Sequence, residues 1–373
     1  MIEYVEIRDE NRELLGVIDA AKSIIWHAIF FGVGDFEIYA QATSDHVELL
    51  QEGRYVTRID NDEVGIIEHI HTEENLQDGE MIKASGRFAK SILDRRIIYT
   101  LSGKSNAATV LAGKVEDNVR KLVTENAIAC PFDAKRNMAE LELGPIIDAP
   151  EIIVDENGQA AQRQVTNDNL LKYTDALLQE YEYGAGVKLS AETNMLQYSL
   201  LRGQDRSVDN EEGNEPVIFS REFDNLTGSE YDRNTTLYKN VALVGGEGEG
   251  VERIYSLVGG ENSGLQRRET FVDASSVKTK YKDGEVEKTY TASEYEAMLS
   301  GHGKQTLAPL AKIESFSGAI DITNGSYVYG VDFFLGDIVT IQDNKIGKYI
   351  NVRIVEATEV QDDGGYLVEA VYQ

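Results

Sequence analysis

At 373 residues, with 42% hydrophobic and 8% aromatic content, the chain is long enough for about two to four domains and apolar enough to bury a core in each. Its 65 acidic against 36 basic residues give a formal charge of −29, which argues against a duplex-binding surface, because such surfaces neutralise phosphates with cations. One cysteine, Cys130, excludes an intrachain disulfide framework; no apolar run reaches membrane-spanning length, and residues 1–16 lack the basic and apolar regions of a secretory leader.

Residues 2–7 and 14–19 predict a hairpin around Asp9-Glu10-Asn11. Residues 23–42 predict two apolar strands broken at Gly32-Val33-Gly34-Asp35, and Trp26 and His27 within them are assigned to core packing. Residues 53–84 read GRYVTRIDNDEVGIIEHIHTEENLQDGEMIKA. Short β-branched bursts punctuated by Asp-Asn or Asp-Gly predict a three-strand meander, and with the preceding strands there are enough to close a small barrel. His69 and His71, two apart on a strand, share a face and could share a metal, but no motif anchors a third ligand; His27, His46 and His302 are scattered. Asp60-Asn61-Asp62-Glu63-Val64-Gly65 begins like a calcium loop, yet Val64 offers no oxygen and His71 stands where the closing Glu should be, so a hairpin turn is the reading.

Residues 84–99, ASGRFAKSILDRRIIY, predict a helix capped by Ser85 with Phe88, Ile92 and Leu93 on one face. Arg87, Lys90, Arg95 and Arg96 make a basic island in an acidic chain, to be paired internally or to dock an acidic neighbour. Residues 106–127 predict a second helix with Leu111, Val115, Val119 and Leu122 on its stripe, and residues 166–183 a third, stopped by Gly184-Ala185-Gly186. A strand over 187–201 and a polar loop over 204–215 follow. β structure resumes from Pro216, interrupted by the glycine loop 245–250, which lacks GxGxxG spacing and a following Lys-Ser/Thr and carries two Glu that would repel phosphate. Beyond it lie a strand over 267–274, a charged turn from Tyr281 to Gly284, and a helix over 293–312 weakened at Gly301-His302-Gly303.

The chain then repeats itself. Residues 336–370, GDIVTIQDNKIGKYINVRIVEATEVQDDGGYLVEA, match 53–84: Gly53 with Gly336, Val56-Thr57 with Val339-Thr340, Asp60-Asn61 with Asp343-Asn344, Ile66-Ile67-Glu68 with Ile354-Val355-Glu356, and 79–84 with 365–370. A strand set this small leaves edges open, so each copy needs a partner sheet, barrel closure or another chain. There is no GxSxG elbow, Cys130 has no nucleophile signature, and among so many carboxylates no pair can be singled out. No catalytic, cofactor-binding or metal-ligating residue is therefore nominated, and no cofactor is expected.

Four motifs in this order, residues 84–99, 245–253 (GGEGEGVER), 267–275 (RRETFVDAS) and 329–341 (YGVDFFLGDIVTI), resemble the siphophage tail proteins of Gram-positive phages and prophages, the ReqiPepy-type group, related in architecture to baseplate hub and tail-associated proteins. The resemblance implies an α+β, mainly β fold with two similar tube-type β-barrels, in residues 1–130 and 216–373, a peripheral α/β domain over 131–215 and an inserted loop and helix region at about 275–312. It further implies a structural, non-enzymatic tail hub that is homotrimeric and meets the tail tube, distal tail proteins and fibre, spike or receptor-binding proteins. DNA would meet it only by passage through the channel, and its place would be the virion tail tip after synthesis in the host cytoplasm. Many relatives carry a C-terminal hydrolase or fibre, whereas this chain stops after the second repeat, so any enzyme or fibre is expected on another polypeptide. The rival expectations are a carbohydrate- or receptor-binding tail module and a cell-wall hydrolase of the tail.

Overall fold

Strands from both ends of the chain enter one sheet. The computed structural model describes residues 1–75, 78–102, 105–154, 158–283, 286–320, 327–343 and 348–373. Four antiparallel strands from the first end lie in the order Ala21–Ile29, Asp35–Gln41, Gly79–Arg87, His69–Asn75, and four from the second end in the order Leu226–Asn234, Ile313–Ile320, Gly365–Tyr372, Lys348–Asp362. The two sets join edge to edge, because Lys348–Asp362 pairs with Ala21–Ile29. Period-two alternation makes each strand one-sided: Ile24, Trp26 and Ala28, then Phe36, Ile38 and Ala40, then Ile82 and Ala84 all point into one core.

A smaller sheet, ordered Leu14–Ile18, Val5–Arg8, Tyr55–Arg58, Asn61–Ile66, covers that core with Val5, Ile7, Ile18 and Val56. Trp26 packs 4.8 Å from Phe88 and 5.7 Å from Phe36, ring centre to ring centre, between the two sheets. At the other end Ile338–Asp343 pairs on one side with the first part of Lys348–Asp362 and on the other with Ile218–Ser220, and these strands close over Phe219, Phe333, Ile354, Val368 and Tyr372. The ladders among the described residues run fully round neither core, so both are open two-sheet structures where closed barrels were expected. The reason is local: the free side of Ala21–Ile29, which would have to meet Leu14–Ile18 to shut the first ring, is taken by the second block.

Gly53 and Gly336 occupy the same place in the two blocks. Both have positive φ, +83° and +93°, and each gives its N–H at 2.8 Å to the next strand, to the carbonyls of Ile67 and Ile354. Ile67 and Ile354 return N–H bonds of 2.9 Å to Arg54 and Asp337. Hence Ile354 is the counterpart of Ile67, and the match of Ile66-Ile67-Glu68 to Ile354-Val355-Glu356 is out by one residue; a β-branched run aligns by letter as well in either register, whereas the ladder fixes one. Leu76 and Gln77 of the first repeat, residues 344–347 of the second, Asn344 among them, and Gly284 of the expected charged turn lie outside the described residues.

Between the blocks, helices Val115–Val123 and Leu170–Glu180 and the three-stranded sheet Leu141–Leu143, Leu196–Leu201, Gly184–Leu189 bury Val119, Leu122, Leu170, Leu177, Leu178 and Tyr198. Ser85 does not cap a helix; its strand continues to Arg87, and a 3-10 helix, Ala89–Arg95, follows. The second helix is shorter than its stripe suggests, since Leu111 is buried on strand Thr109–Ala112, paired with Gln162–Val165. Asn169 caps the third, and Gly184 opens a strand instead of stopping a helix. Residues 235–312 leave the large sheet between two strands that are themselves partners, and fold the strands Val241–Gly245, Tyr255–Val258 and Glu269–Asp273 against helix Ala292–Leu307. That helix starts in a Thr291–Glu294 capping box and passes unbroken through Gly301-His302-Gly303. The glycines sit where neighbours press close: a Cβ on Gly303 would lie 2.5 Å from Val258 Cγ2 and one on Gly301 2.7 Å from Arg163 Nε.

Candidate assembly interface

The seam inside the chain shows how one four-stranded unit joins the next. Residues 356–362 run antiparallel to 23–29, with Thr358 opposite His27 and Glu359 opposite Trp26. On one face, the half-buried His27 lies between two carboxylates, Nε2 at 3.1 Å from Glu356 and Nδ1 at 3.3 Å from Asp35. With both ring nitrogens facing acceptors, the imidazolium is the form that satisfies them. The hydrogen bond to Glu356, helped by the charge of Asp35, raises the His27 pKa above the ordinary imidazole value against the opposing effect of burial. The same bond holds the Glu356 carboxyl below its ordinary value. The expectation that His27 is core packing is thus corrected, since its partner comes from the far end of the chain.

On the opposite face, Arg58 forks onto two acids. It donates to Glu359 at 2.8 and 3.0 Å and to Asp60 at 2.9 and 2.8 Å, while Tyr366 donates to Glu359 at 2.6 Å. The guanidinium stands 5.4 Å from the centre of the Trp26 ring. The side chains of Arg58 and Glu359 are 1% and 5% exposed, so this is a buried, charge-assisted joint. Burial works against the charge of Arg58, but the bonds to Asp60 and Glu359 outweigh it and raise its pKa. Burial, followed by the charge of Glu359, pushes the Tyr366 phenol up. Nothing in the sequence marks this pair, since neither residue lies in a motif.

The large sheet ends in two unlike edges. His69–Asn75, the last strand of the first unit, pairs only with Gly79–Arg87, and Leu226–Asn234, the first strand of the second unit, pairs only with Ile313–Ile320 among the described residues. Both expose a row of backbone donors and acceptors on one side.

The residues singled out by sequence are distributed otherwise. His69 and His71 are exposed on the first of these edges, and His71 Nε2 lies 3.8 Å from Glu73. His46 Nδ1 is 2.8 Å from the Gln41 carbonyl, and the half-buried His302 Nε2 is 2.8 Å from that of Gln164, its pKa lowered by desolvation. Among the described residues no three of His, Cys, Asp and Glu stand close enough to hold a metal ion. The glycine loop is closed on itself: Arg253 donates to the Gly245 and Gly246 carbonyls, the Glu247 N–H reaches the Tyr295 hydroxyl, and the Glu247 carboxylate accepts from Thr279. In the basic island Arg87 binds Glu68 through two bonds of 2.8 and 2.9 Å, Lys90 binds Asp175 at 3.1 Å, and Arg96 donates to the Arg136 carbonyl, while Arg95 is exposed. Cys130 is buried.

In structure the chain is similar to the 43 kDa tail protein of prophage MuSo2 from Shewanella oneidensis, with a TM-score of 0.58 at 12% identity over 100% of this chain and 98% of that one. It is similar also to the tail protein of Neisseria meningitidis MC58 (TM-score 0.56, 13% identity, 99% and 95% covered) and to prophage tail protein gp18 of Listeria monocytogenes EGD-e (0.50, 10%, 99% and 94%). At such identities the likeness is one of fold. No curated protein sequence matches the chain. The Siphovirus ReqiPepy6 Gp37-like protein family matches residues 4–372, and the chain belongs to that family of phage tail proteins.

Proposed function

We propose that the protein is a non-enzymatic hub or tail-tip subunit, homotrimeric in the particle, that joins the tail tube to the host-recognition apparatus and surrounds the DNA exit path. The observation that carries this reading is the head-to-tail order of the two four-stranded units. Unlike edges that fit each other make a heterologous joint, and such joints repeat until a ring closes. The seam within the chain is one such joint. Repeating it between chains would place His69–Asn75 of one copy against Leu226–Asn234 of the next. Three chains would then present six units and twenty-four strands around one opening, letting a threefold tip sit on a sixfold tube. The same pairing would cover both bare edges, and the duplicated design is in keeping with the paired glycines Gly53 and Gly336.

On this reading residues 1–130 and 216–373 supply the ring. Residues 131–215 and the excursion that contains 275–312 form its periphery, where distal tail proteins and fibre, spike or receptor-binding proteins dock. Excess carboxylate on the chain would keep passing DNA from adhering to the wall. Light scattering of the purified chain and electron microscopy of purified tails test the proposal: a trimeric ring at the tail tip is expected, and a strictly monomeric protein absent from the particle overturns it.

A further inference from the structure

The intrachain seam fixes a register that can be carried to the two bare edges, because the ladders number the two units against each other. Along their hairpins, His69 opposite Ser85 and Asn75 opposite Gly79 correspond to Glu356 opposite Val371 and Asp362 opposite Gly365. His69 therefore takes the place of Glu356, His71 that of Thr358 and Thr72 that of Glu359. On the other side, Trp26 opposite Phe36 and His27 opposite Asp35 correspond to Tyr231 opposite Phe316 and Asp232 opposite Ser315. Asp232 therefore takes the place of His27.

Resting on the ring reading above, we propose that the partner of each bare edge is a second copy of this chain, bound in the register of the internal seam with the polarity of its ion pair exchanged. Inside the chain an imidazole on the first strand of a unit meets a carboxylate, Glu356, on the last strand of the preceding one. Between chains the carboxylate is on the first strand, Asp232, and the imidazoles are on the last: His71 directly opposite and His69 diagonal to it, as Glu356 is to His27. Facing residues on antiparallel strands, and their diagonal neighbours, are within reach of such pairing. Asp232, His69 and His71 are all exposed in the single chain, where a partner would find them. The same register sets Ile70 against Arg233, Thr72 against Tyr231, and Glu73 against Glu230. That last pair is of like charge, but Glu73 already accepts a 2.9 Å bond from Tyr39 and lies 3.8 Å from His71.

The exchange gives the joint specificity. Two histidine edges brought together, or two Asp232 edges, face like with like, whereas the unlike edges match, so the charges favour continuation of the ring over pairing of a strand with its own kind.

The test is cysteine cross-linking in the full chain on a Cys130→Ala background. Facing antiparallel residues stand at a separation a disulfide can span. Oxidised H71C/D232C should give covalent species up to a trimer on non-reducing gels, and I70C/D232C, one residue off and on the other face, should not. Asp232→Lys should raise the concentration needed for half-assembly by up to about fivefold per interface, and His71→Glu in the same chain should restore it. Trimers by light scattering that link through the off-register pair overturn the register while leaving the ring. A chain that links through neither pair and stays monomeric, with no ring in purified tails, overturns both.

Discussion

The two ends of the chain build the same four-strand order with different amounts of protein in it. In the first unit the turn 30–34 joins the first two strands; in the second, residues 235–312 intervene between Leu226–Asn234 and Ile313–Ile320, which nevertheless pair. Lengthening a connection adds closure entropy only slowly. The excursion also brings a core of its own around Ala242, Val244, Met298 and Leu299, so it draws no apolar surface from the sheet. Strand order is therefore the constrained feature of these units, and the connection at the rim is the place where bulk can be added. A second difference lies in the bend: the last strand of the first unit breaks from its predecessor at Ile67-Glu68, whereas Lys348–Asp362 runs through with only an irregularity between Ile354 and Glu356.

The most damaging change should be one that parts the two units. Arg58→Ala would leave Glu359 buried without its cation, and losing one partner of a buried ion pair destabilises by about 3–5 kcal/mol. The drop should appear as a lower urea midpoint. Arg58→Met with Glu359→Leu should recover most of it, because a well-packed apolar pair can replace such a bridge. An Arg58→Ala midpoint equal to that of the unsubstituted chain would show that the seam is held by its ladder alone.

The paired glycines separate what the units share from what the seam adds. Gly53→Ala meets no atom within 4 Å, so it should cost only the left-handed backbone strain, about 1–2 kcal/mol. Gly336→Ala carries the same strain, but its Cβ would also fall 2.3 Å from Cε2 of Phe30, a buried residue of the other block. Overpacking of that kind adds about 1–3 kcal/mol. Comparing the two urea midpoints checks this; equal losses would mean that Phe30 yields freely and that the blocks touch loosely there.

How much of this could be read beforehand follows from the range of the signal. The hairpin of Val5–Arg8 with Leu14–Ile18, the strands flanking Gly32-Val33-Gly34 and the glycines of both repeats were legible, because alternation and turn chemistry are local. The helix expected over 106–127 misled in its first turns, where Leu111 keeps helical spacing with Val115 yet is paired in a strand with Arg163. Arg58 and Glu359 stand 301 positions apart, and no periodicity links them. His27 read as core because its sequence neighbours are apolar, while the acid that defines its role arrives from the other unit.

That histidine gives the smallest effect and the most specific signature. Its folded pKa lies above the ordinary imidazole value, so its contribution is complete below that value and fades as pH rises through the folded one. Glu356 behaves in the opposite sense: its folded pKa lies below the ordinary carboxylate value, so its contribution is present above that value and fades as pH falls. The joint should thus be firmest between the ordinary carboxylate and imidazole ranges, near pH 5 to 6, and weaker on both sides. Solvent reaches Glu356 and Asp35, so screening limits the gain to about 0.2–1 kcal/mol. His27→Gln should narrow its deficit in melting temperature as pH rises from 5.5 to about 9, where a neutral imidazole no longer differs electrostatically from an amide. A deficit constant across that range would assign His27 to packing at the seam, and the polarity argued for the outer edges would then lose its internal precedent.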